Sequence, residues 1–353
     1  MAIVAEQYQY VIGVDTHAAS HSFAVLDACT TAVVASEQFP ATPAGVNRAV
    51  SWAARRAAFA DDVLIVVEGV GSYGAGVARA FTGAGYRVVE AQAQPASERR
   101  GTGESDALDA MRIARSVLGT DAEALRTPRA DGIRNALRIL TASRELIVRE
   151  RTATVNSLTA LVRTEALGVD ARKALTARQL RQIAGWRSRA AEPIDVAVAR
   201  AEATRLARHA LELSEQAAAN YSQLQVLVGH AAPDLLEMPG VGPVTAAVVV
   251  VAWSHPGRVR SEAAFAALAG TCPIPASSGN ISRHRLNRGG DRRLNCAIHT
   301  IVMVRMGRDP QTKAYVARRI SEGKTKWEAM RCVKRYLTRN LHRTLERSAL
   351  PAT

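Results

Sequence analysis

Four acids stand where carboxylates could share metal ions: Asp15, Glu68, Asp106 and Asp109. Asp15 closes the apolar run Tyr10-Val11-Ile12-Gly13-Val14, and Glu68 closes Val63-Leu64-Ile65-Val66-Val67. Short continuous apolar runs predict buried strands, so each acid emerges at a strand end. Asp106 and Asp109 lie three residues apart at the start of a helical stretch, which puts both on one face. Acids drawn from two strand ends and one helix face suit in-line phosphoryl transfer on divalent metal. Carboxylate oxygens fit Mg²⁺, which keeps several waters and takes further ligands from substrate phosphate.

A second candidate set lies far along the chain. Ala276-Ser277-Ser278-Gly279-Asn280 reads as a polar loop, followed by Arg283, His284, Arg285 and Arg288 and then Arg292 and Arg293. A serine in such a loop is ordinarily a turn residue. The surrounding arginines form a ready clamp for a phosphodiester, and serine can attack phosphorus and hold a DNA end covalently. Ser277 and Ser278 cannot be separated on composition. In an extended segment they point in opposite directions, so only one faces a bound phosphate. Gly279 lets the backbone come close just after Ser278.

The elements that must position these groups divide the chain in three. Residues 1–122 predict α/β structure. Strand 10–15 is followed by a turn at His17-Ala18-Ala19-Ser20, strand 22–26 and a third run, 31–39. Helix 43–59, strand 63–68, helix 74–83, strand 86–90 and helix 105–118 follow. Residues 123–230 predict an all-α segment: Ile133, Leu137, Leu140, Ile147, Leu158 and Leu161 keep 3-and-4 spacing, and Leu206, Leu213 and Leu227 keep a seven-residue beat interrupted by Asn220. Two long helices in an antiparallel hairpin or a coiled coil meet that pattern, with a bend between Gly185 and Pro193. In the third segment, 231–353, Met238-Pro239-Gly240-Val241-Gly242-Pro243 has the form of a helix-hairpin-helix. Gly240 and Gly242 would make the turn, and the amides that start the second helix could accept a phosphate. A turn that merely packs two helices would read the same.

Charge points to a polyanionic partner. The 353 residues carry 46 Lys or Arg against 32 Asp or Glu, a net charge of +14. Residues 256–353 hold 20 Lys or Arg and 6 Asp or Glu, so this last stretch contains the whole excess. Neutralising phosphates releases condensed counterions, which favours nucleic acid as the partner, although a solvated basic surface has the same composition. Cys29, Cys272, Cys296 and Cys332 show no paired spacing for zinc or disulfides, which predicts a reducing cytoplasm. No signal peptide is predicted, and the longest apolar run, 243–253, is too short to span a bilayer.

Gly69-Val70-Gly71-Ser72-Tyr73-Gly74, with Glu90 beyond it, spells a dinucleotide fingerprint between a strand and a helix. It follows a three-strand meander rather than opening a βαβαβ half, and Glu68 would set a negative charge near a pyrophosphate. A dinucleotide-binding oxidoreductase is therefore the remote alternative. A non-catalytic nucleic-acid-binding module would gain nothing from four clustered, mutually repelling acids.

Taken together, these motifs resemble the DEDD transposases of insertion sequences, the family that includes the Piv site-specific DNA invertase. The resemblance covers essentially the whole length. It is carried by Gly13-Val14-Asp15-Thr16, Glu68 to Tyr73, Ser105-Asp106-Ala107-Leu108-Asp109-Ala110 and Met238 to Gly242. Further along, Ala269-Gly270-Thr271-Cys272-Pro273, Ser278-Gly279 and Gly290 to Leu294 complete it. Glu104 and Val70 depart from the family's usual residues. The resemblance implies an RNase H/RuvC-like first domain, a helical coiled-coil middle for dimerisation and a helical C-terminal transposase domain. It also implies Asp15, Glu68, Asp106 and Asp109 as the metal-binding acids, Ser278 as the nucleophile, and sites shared between protomers of a homodimer or dimer of dimers. A noncoding bridge RNA pairing with target and donor DNA is implied too. An RNA-independent invertase and a metal-only nuclease are the alternatives within the enzymes.

Overall fold

The computed structural model describes residues 2–57, 59–92, 105–129, 132–165, 167–189, 192–276 and 284–348. The chain forms two compact units, 1–129 and 130–353.

The first unit is built on five strands: β1 (Tyr10–Thr16), β2 (Ser20–Asp27), β3 (Val33–Pro40), β4 (Val63–Val67) and β5 (Arg87–Glu90). The sheet order is β3-β2-β1-β4-β5. β1 pairs antiparallel with β2 (Asp15 opposite Ser22) and parallel with β4 (Val14 opposite Val67). This mixed sheet has the strand order and helices of an RNase H-like fold. The meander and the positions of the strands match the reading of the sequence, with shifts of one or two residues at most ends.

Both faces of the central strands are buried, which is why they read as unbroken apolar runs. Ile12 and Val14 pack with Phe23, Val25, Ile65 and Val67 toward helices α2 (Pro43–Ala54) and α3 (Ala75–Gly83). Val11, Ala24, Leu26, Leu64 and Val66 face the other way, toward α4 (Asp106–Arg115). The short α1 (Val4–Gln7) closes the edge of that layer through Val4.

The second unit is helical. α5 (Ile133–Thr164) and α7 (Ile194–Ala231) run antiparallel, with α6 (Ala177–Ala184) packed at the connection. Asn220 Nδ2 donates to the Leu140 carbonyl at 3.0 Å, Arg144 donates to the Ala217 carbonyl at 2.7 Å, and Arg151 donates to Ser214 Oγ at 2.7 Å. The residue that interrupts the leucine beat is thus a buried amide that ties the two helices. Ala199, Ala203, Ala207 and Ala210 form a small-residue seam that lets the helices approach. Near the bend, Arg200 is buried in an ion pair with Glu192 and lies over the Trp186 ring.

The remaining helices are α8 (Pro233–Glu237), α9 (Pro243–Trp253), α10 (Glu262–Leu268), α11 (Arg292–Arg308), α12 (Pro310–Ser321) and α13 (Lys326–Ser348), with a small hairpin of β6 (Ile274–Pro275) and β7 (His284–Arg285). α9 is apolar all round because it is the core of this unit, buried among α5, α7, α11 and α13. Leu137, Leu224 and Val228 of the hairpin belong to the same core. The division read at residue 230 therefore falls inside one packed unit, not between two.

Candidate metal centre

Gly13 explains how the site is assembled. It lies on β1 two residues before Asp15, on the same face. A Cβ at Gly13 would sit 2.0 Å from the Ala110 carbonyl oxygen and 2.6 Å from the Ala114 nitrogen, so α4 rests directly on the bare backbone there. Asp106, Ala110 and Ala114 recur at four-residue spacing along one stripe of the helix. With Ala110 seated over Gly13, the next turn carries Asp106 over the strand end where Asp15 emerges. Ser105 caps the helix by accepting from the Leu108 N–H at 3.3 Å. The acids in the first turn are favoured by the helix dipole.

The side chain that joins the two acids is His17, which the sequence reading treated only as a turn residue. Its Nε2 lies 2.9 Å from Asp15 Oδ2 and 3.8 Å from Asp106 Oδ1. Asp15, His17 and Asp106 each present one donor atom, all within 4.8 Å of one another. The hydrogen bond and charge of Asp15 raise the His17 pKa, with Asp106 and Glu68 acting in the same direction. Asp15 is 7% exposed, so its carboxylate is committed to this partner rather than to water. The turn is fixed by the His17 N–H donating to the Ser20 carbonyl at 3.1 Å.

Glu68 follows β4 directly, and its N–H donates to the Val14 carbonyl at 3.0 Å. Thr16 Oγ1 donates to the Glu68 carbonyl at 3.0 Å, tying the two strand ends together. Glu68 thus stands beside the centre, and its charge reaches His17, but it is outside the three-donor group. Asp109 is also outside it. Its carboxylate accepts from Arg112 Nη1 at 2.8 Å, one turn along α4. Of the four acids named from the sequence, two are brought together with a histidine, one lies alongside, and one is held by an arginine.

An open cleft of about 570 Å³ adjoins the centre, lined by Ser22, Ser36, Gln38, Ser105 and Asp106 among others. Gln38 Nε2 donates to Ser20 Oγ at 3.0 Å and reaches Asp106 Oδ2 at 3.4 Å. His21, on the opposite face of β2, is 4% exposed and its Nδ1 has no hydrogen-bond partner. Burial, and then the charge of His17, holds its pKa below the ordinary value.

The glycine loop after β4, read above as a remote dinucleotide fingerprint, spends part of its backbone on itself. The Gly69 carbonyl accepts the N–H groups of Ser72 at 2.8 Å and Gly74 at 3.0 Å, and the Ser72 carbonyl accepts that of Ala75. Those three amides are spent within the chain and are not free for a pyrophosphate.

In the second unit, 277–283, with Ser278 and Arg283, lie outside the described residues; their flanks pair as β6 and β7. Arg285, Arg288 and Arg292 are exposed. Arg293 is paired with Glu145 at 2.7 Å, in solvent, where such pairs exchange partners at little cost. The motifs around them meet: the Asp291 N–H donates to the Leu268 carbonyl at 2.7 Å, and Asn295 Nδ2 donates to the Ala269 carbonyl at 2.7 Å. Gly240, at φ +77°, lies against α11, with the Ile301 carbonyl 3.1 Å from where a Cβ would be. The Gly242 N–H donates to Thr245 Oγ1 at 3.1 Å. That amide is therefore spent within the chain and is not free for a phosphate.

Among the described residues no helix is long and apolar enough to cross a membrane. Two family models match the chain: a transposase model of the DEDD IS110 type over residues 12–165, and the transposase IS116/IS110/IS902 family over 232–317. An uncharacterized 43.6 kDa protein of insertion element IS110 from Streptomyces coelicolor is 34% identical over 128 residues, 35% of this chain and 32% of that protein. An uncharacterized 42 kDa protein of insertion element IS900 from Mycobacterium paratuberculosis is 29% identical over 284 residues, 68% of this chain and 71% of that protein. The first of these relatives is thus matched over about a third of its own length, the second over more than two thirds. The first model includes Asp15, Glu68, Asp106 and Asp109, and the second includes the glycine turn and the Ser278 loop. With both halves matched by models of the same kind, the chain belongs to the IS110-type family of DEDD transposases.

Proposed function

We propose that this chain is the recombinase of an insertion element: it cuts DNA and rejoins the ends through a covalent serine intermediate, guided by a noncoding bridge RNA. The observation that carries the reading is the cluster at the end of β1, where Asp15, His17 and Asp106 converge with Glu68 alongside. A donor set of carboxylate oxygens and one imidazole fits a divalent cation. Such an ion, Mg²⁺ in the simplest case, supplies neutralising charge to the oxygens of a reacting phosphate. Asp109, in the same first turn of α4, would serve once Arg112 is drawn elsewhere, for example to a phosphate.

In the proposed reaction the Ser278 Oγ bonds to phosphorus, the bond from phosphorus to the departing DNA oxygen breaks, and the serine proton ends on the departing hydroxyl or water. Rejoining reverses these steps, so no nucleotide energy source is needed. Arg283, Arg285, Arg288, Arg292 and Arg293 are proposed to hold the phosphates, with the turn at Gly240 as a further contact through amides other than that of Gly242. The net charge of residues 256–353 supports nucleic acid as the partner. Bridge RNA, a homodimer or dimer of dimers, and a cytoplasmic, nucleoid-associated location follow from the family resemblance.

The test is recombination of a plasmid substrate by Asp15→Asn and Asp106→Asn, run beside a thermal melt. Loss of recombination with retained folding is expected; near-normal recombination by both variants removes the metal reading. Ser278→Ala should eliminate any protein–DNA adduct on denaturing gels while Ser277→Ala keeps it. Full site-specific activity after complete RNA removal would favour an invertase that works unguided.

A further inference from the structure

We infer that His17 is itself a ligand of the centre, which makes it a nitrogen-and-oxygen site that holds Mn²⁺ in preference to Mg²⁺. The inference rests on the metal reading above and extends it to the identity of the ion.

The geometry carries the argument. Metal–ligand distances near 2.1 Å place neighbouring donors of an octahedral ion about 3 Å apart and opposite donors about 4 Å apart. His17 Nε2 is 2.9 Å from Asp15 Oδ2 and 3.8 Å from Asp106 Oδ1. These are donor spacings that one ion can bridge with small side-chain rotations and no backbone movement. His17 and Asp15 are two apart on one extended segment, so they reach the same side of the sheet. The His17 backbone is anchored to Ser20, and the helix bearing Asp106 is seated on Gly13. A carboxylate at position 17 would make the set all-oxygen; the imidazole instead adds a nitrogen donor, which Mg²⁺ accepts poorly.

Ligand chemistry then decides the ion. Imidazole is a poor ligand for Mg²⁺, which takes oxygen donors and parts reluctantly with water. Affinity for mixed nitrogen and oxygen sites rises along the first transition row from Mn²⁺ upward, and carboxylates suit Mn²⁺ as well. One imidazole with two aspartates, and Glu68 alongside, leaves open positions for water or phosphate oxygens.

The experiment uses the full-length chain stripped of metal and titrated with Mn²⁺ alone, following the free-ion EPR signal, with Mg²⁺ as competitor. The wild type should bind Mn²⁺ at least about tenfold more tightly than Mg²⁺, and pulsed EPR should show nitrogen coupling to the bound ion. His17→Gln should abolish the nitrogen coupling, weaken Mn²⁺ by roughly tenfold and bring the two affinities together, in a chain that still folds because the glutamine amide can donate to Asp15. Two results overturn the inference. Wild-type preference and coupling in His17→Gln would place the imidazole outside the coordination sphere. Tighter binding of both ions in that variant would show that His17 only competes with them as a cation. Asp15→Asn and Asp106→Asn separate this from the underlying reading. If neither weakens Mn²⁺ binding, or if the wild type binds no Mn²⁺ at all, the metal centre itself fails.

Discussion

Replacing Gly13 by alanine should damage the metal centre without touching any of its donors. The added Cβ would lie 2.0 Å from the Ala110 oxygen and 2.6 Å from the Ala114 nitrogen, both backbone atoms that no rotamer change can move away. Even a close C–H···O contact needs about 3.3 Å, so α4 would have to retreat from β1 by roughly 1.3 Å. Overpacking of this kind destabilises by about 1–3 kcal/mol, and a clash between two backbones belongs at the upper end. The functional loss should be larger in proportion. Asp106 rides on α4 while Asp15 and His17 ride on the β1 segment, and functional donors tolerate displacements of only about 0.5 Å. A differential scanning melt should therefore show the transition of the α/β unit shifted down, while Mn²⁺ binding falls by roughly tenfold or more. Gly83→Ala, where a Cβ meets no atom within 4 Å, is the matched control. Wild-type melting and wild-type Mn²⁺ affinity in Gly13→Ala would refute the seating of α4 on β1, and with it the account of how Asp106 reaches Asp15.

Asp106→Asn should weaken Mn²⁺ binding by roughly tenfold or more, whereas Asp109→Asn should change it by less than about threefold, because Asp109 is engaged by Arg112. Equal losses in the two titrations would put Asp109 in the metal group. The buried His21 stays neutral in the folded chain where the unfolded chain takes up a proton, so its effect on stability is absent above the ordinary value of 6.5 and becomes destabilising as pH falls below it. In EDTA, the melting temperature of the wild type should therefore fall more steeply between about pH 7 and pH 5 than that of His21→Gln; parallel slopes would count against a neutral buried imidazole. Changing Arg285, Arg288 and Arg292 together to glutamine should lower the slope of log K against log salt for duplex DNA by about 0.9 for each arginine on phosphate. An unchanged slope would make these side chains a solvated face.

The acids were legible in the sequence because strand burial and strand ends are written plainly there: five apolar residues, then a carboxylate, twice over. The first-turn acids of α4 were legible for a similar reason, since Ser105 and the helical spacing after it mark the start of a helix. What three-residue spacing could not show is which acid the packing selects. The stripe that meets the sheet runs through Asp106, Ala110 and Ala114, one position in four, and this turns Asp109 toward Arg112. His17 was missed because a histidine after a strand looks like part of a turn. Its position two residues beyond Asp15 was the available signal, since extended residues two apart share a face. Similarly, α9 is plainly apolar in sequence. That it would merge the helical hairpin and the C-terminal helices into one core depends on contacts with Leu137, Leu224 and Val228, which no local pattern records.

The centre is also built so that its acids do not depend on an ion to stay together. Asp15 is almost fully buried, and an isolated carboxylate there would be expensive unless paired. His17 supplies the pairing, and its pKa is raised by Asp15 first and by Asp106 and Glu68 in addition. Asp106 lies in the first turn of α4, where a helix dipole contributes about 0.3–1 kcal/mol in favour of an acid. The frame that holds these groups is independent of them: two apolar layers sandwich the sheet, one through Phe23, Ile65 and Val67 and the other through Val11, Leu64 and Val66. Because the frame does not rest on these donors, variants of Asp15 or Asp106, and His17→Gln, whose amide can still donate to Asp15, report on metal binding and chemistry more than on folding. The same logic does not extend to Gly13, where the absence of a side chain is what lets the helix and the strand meet.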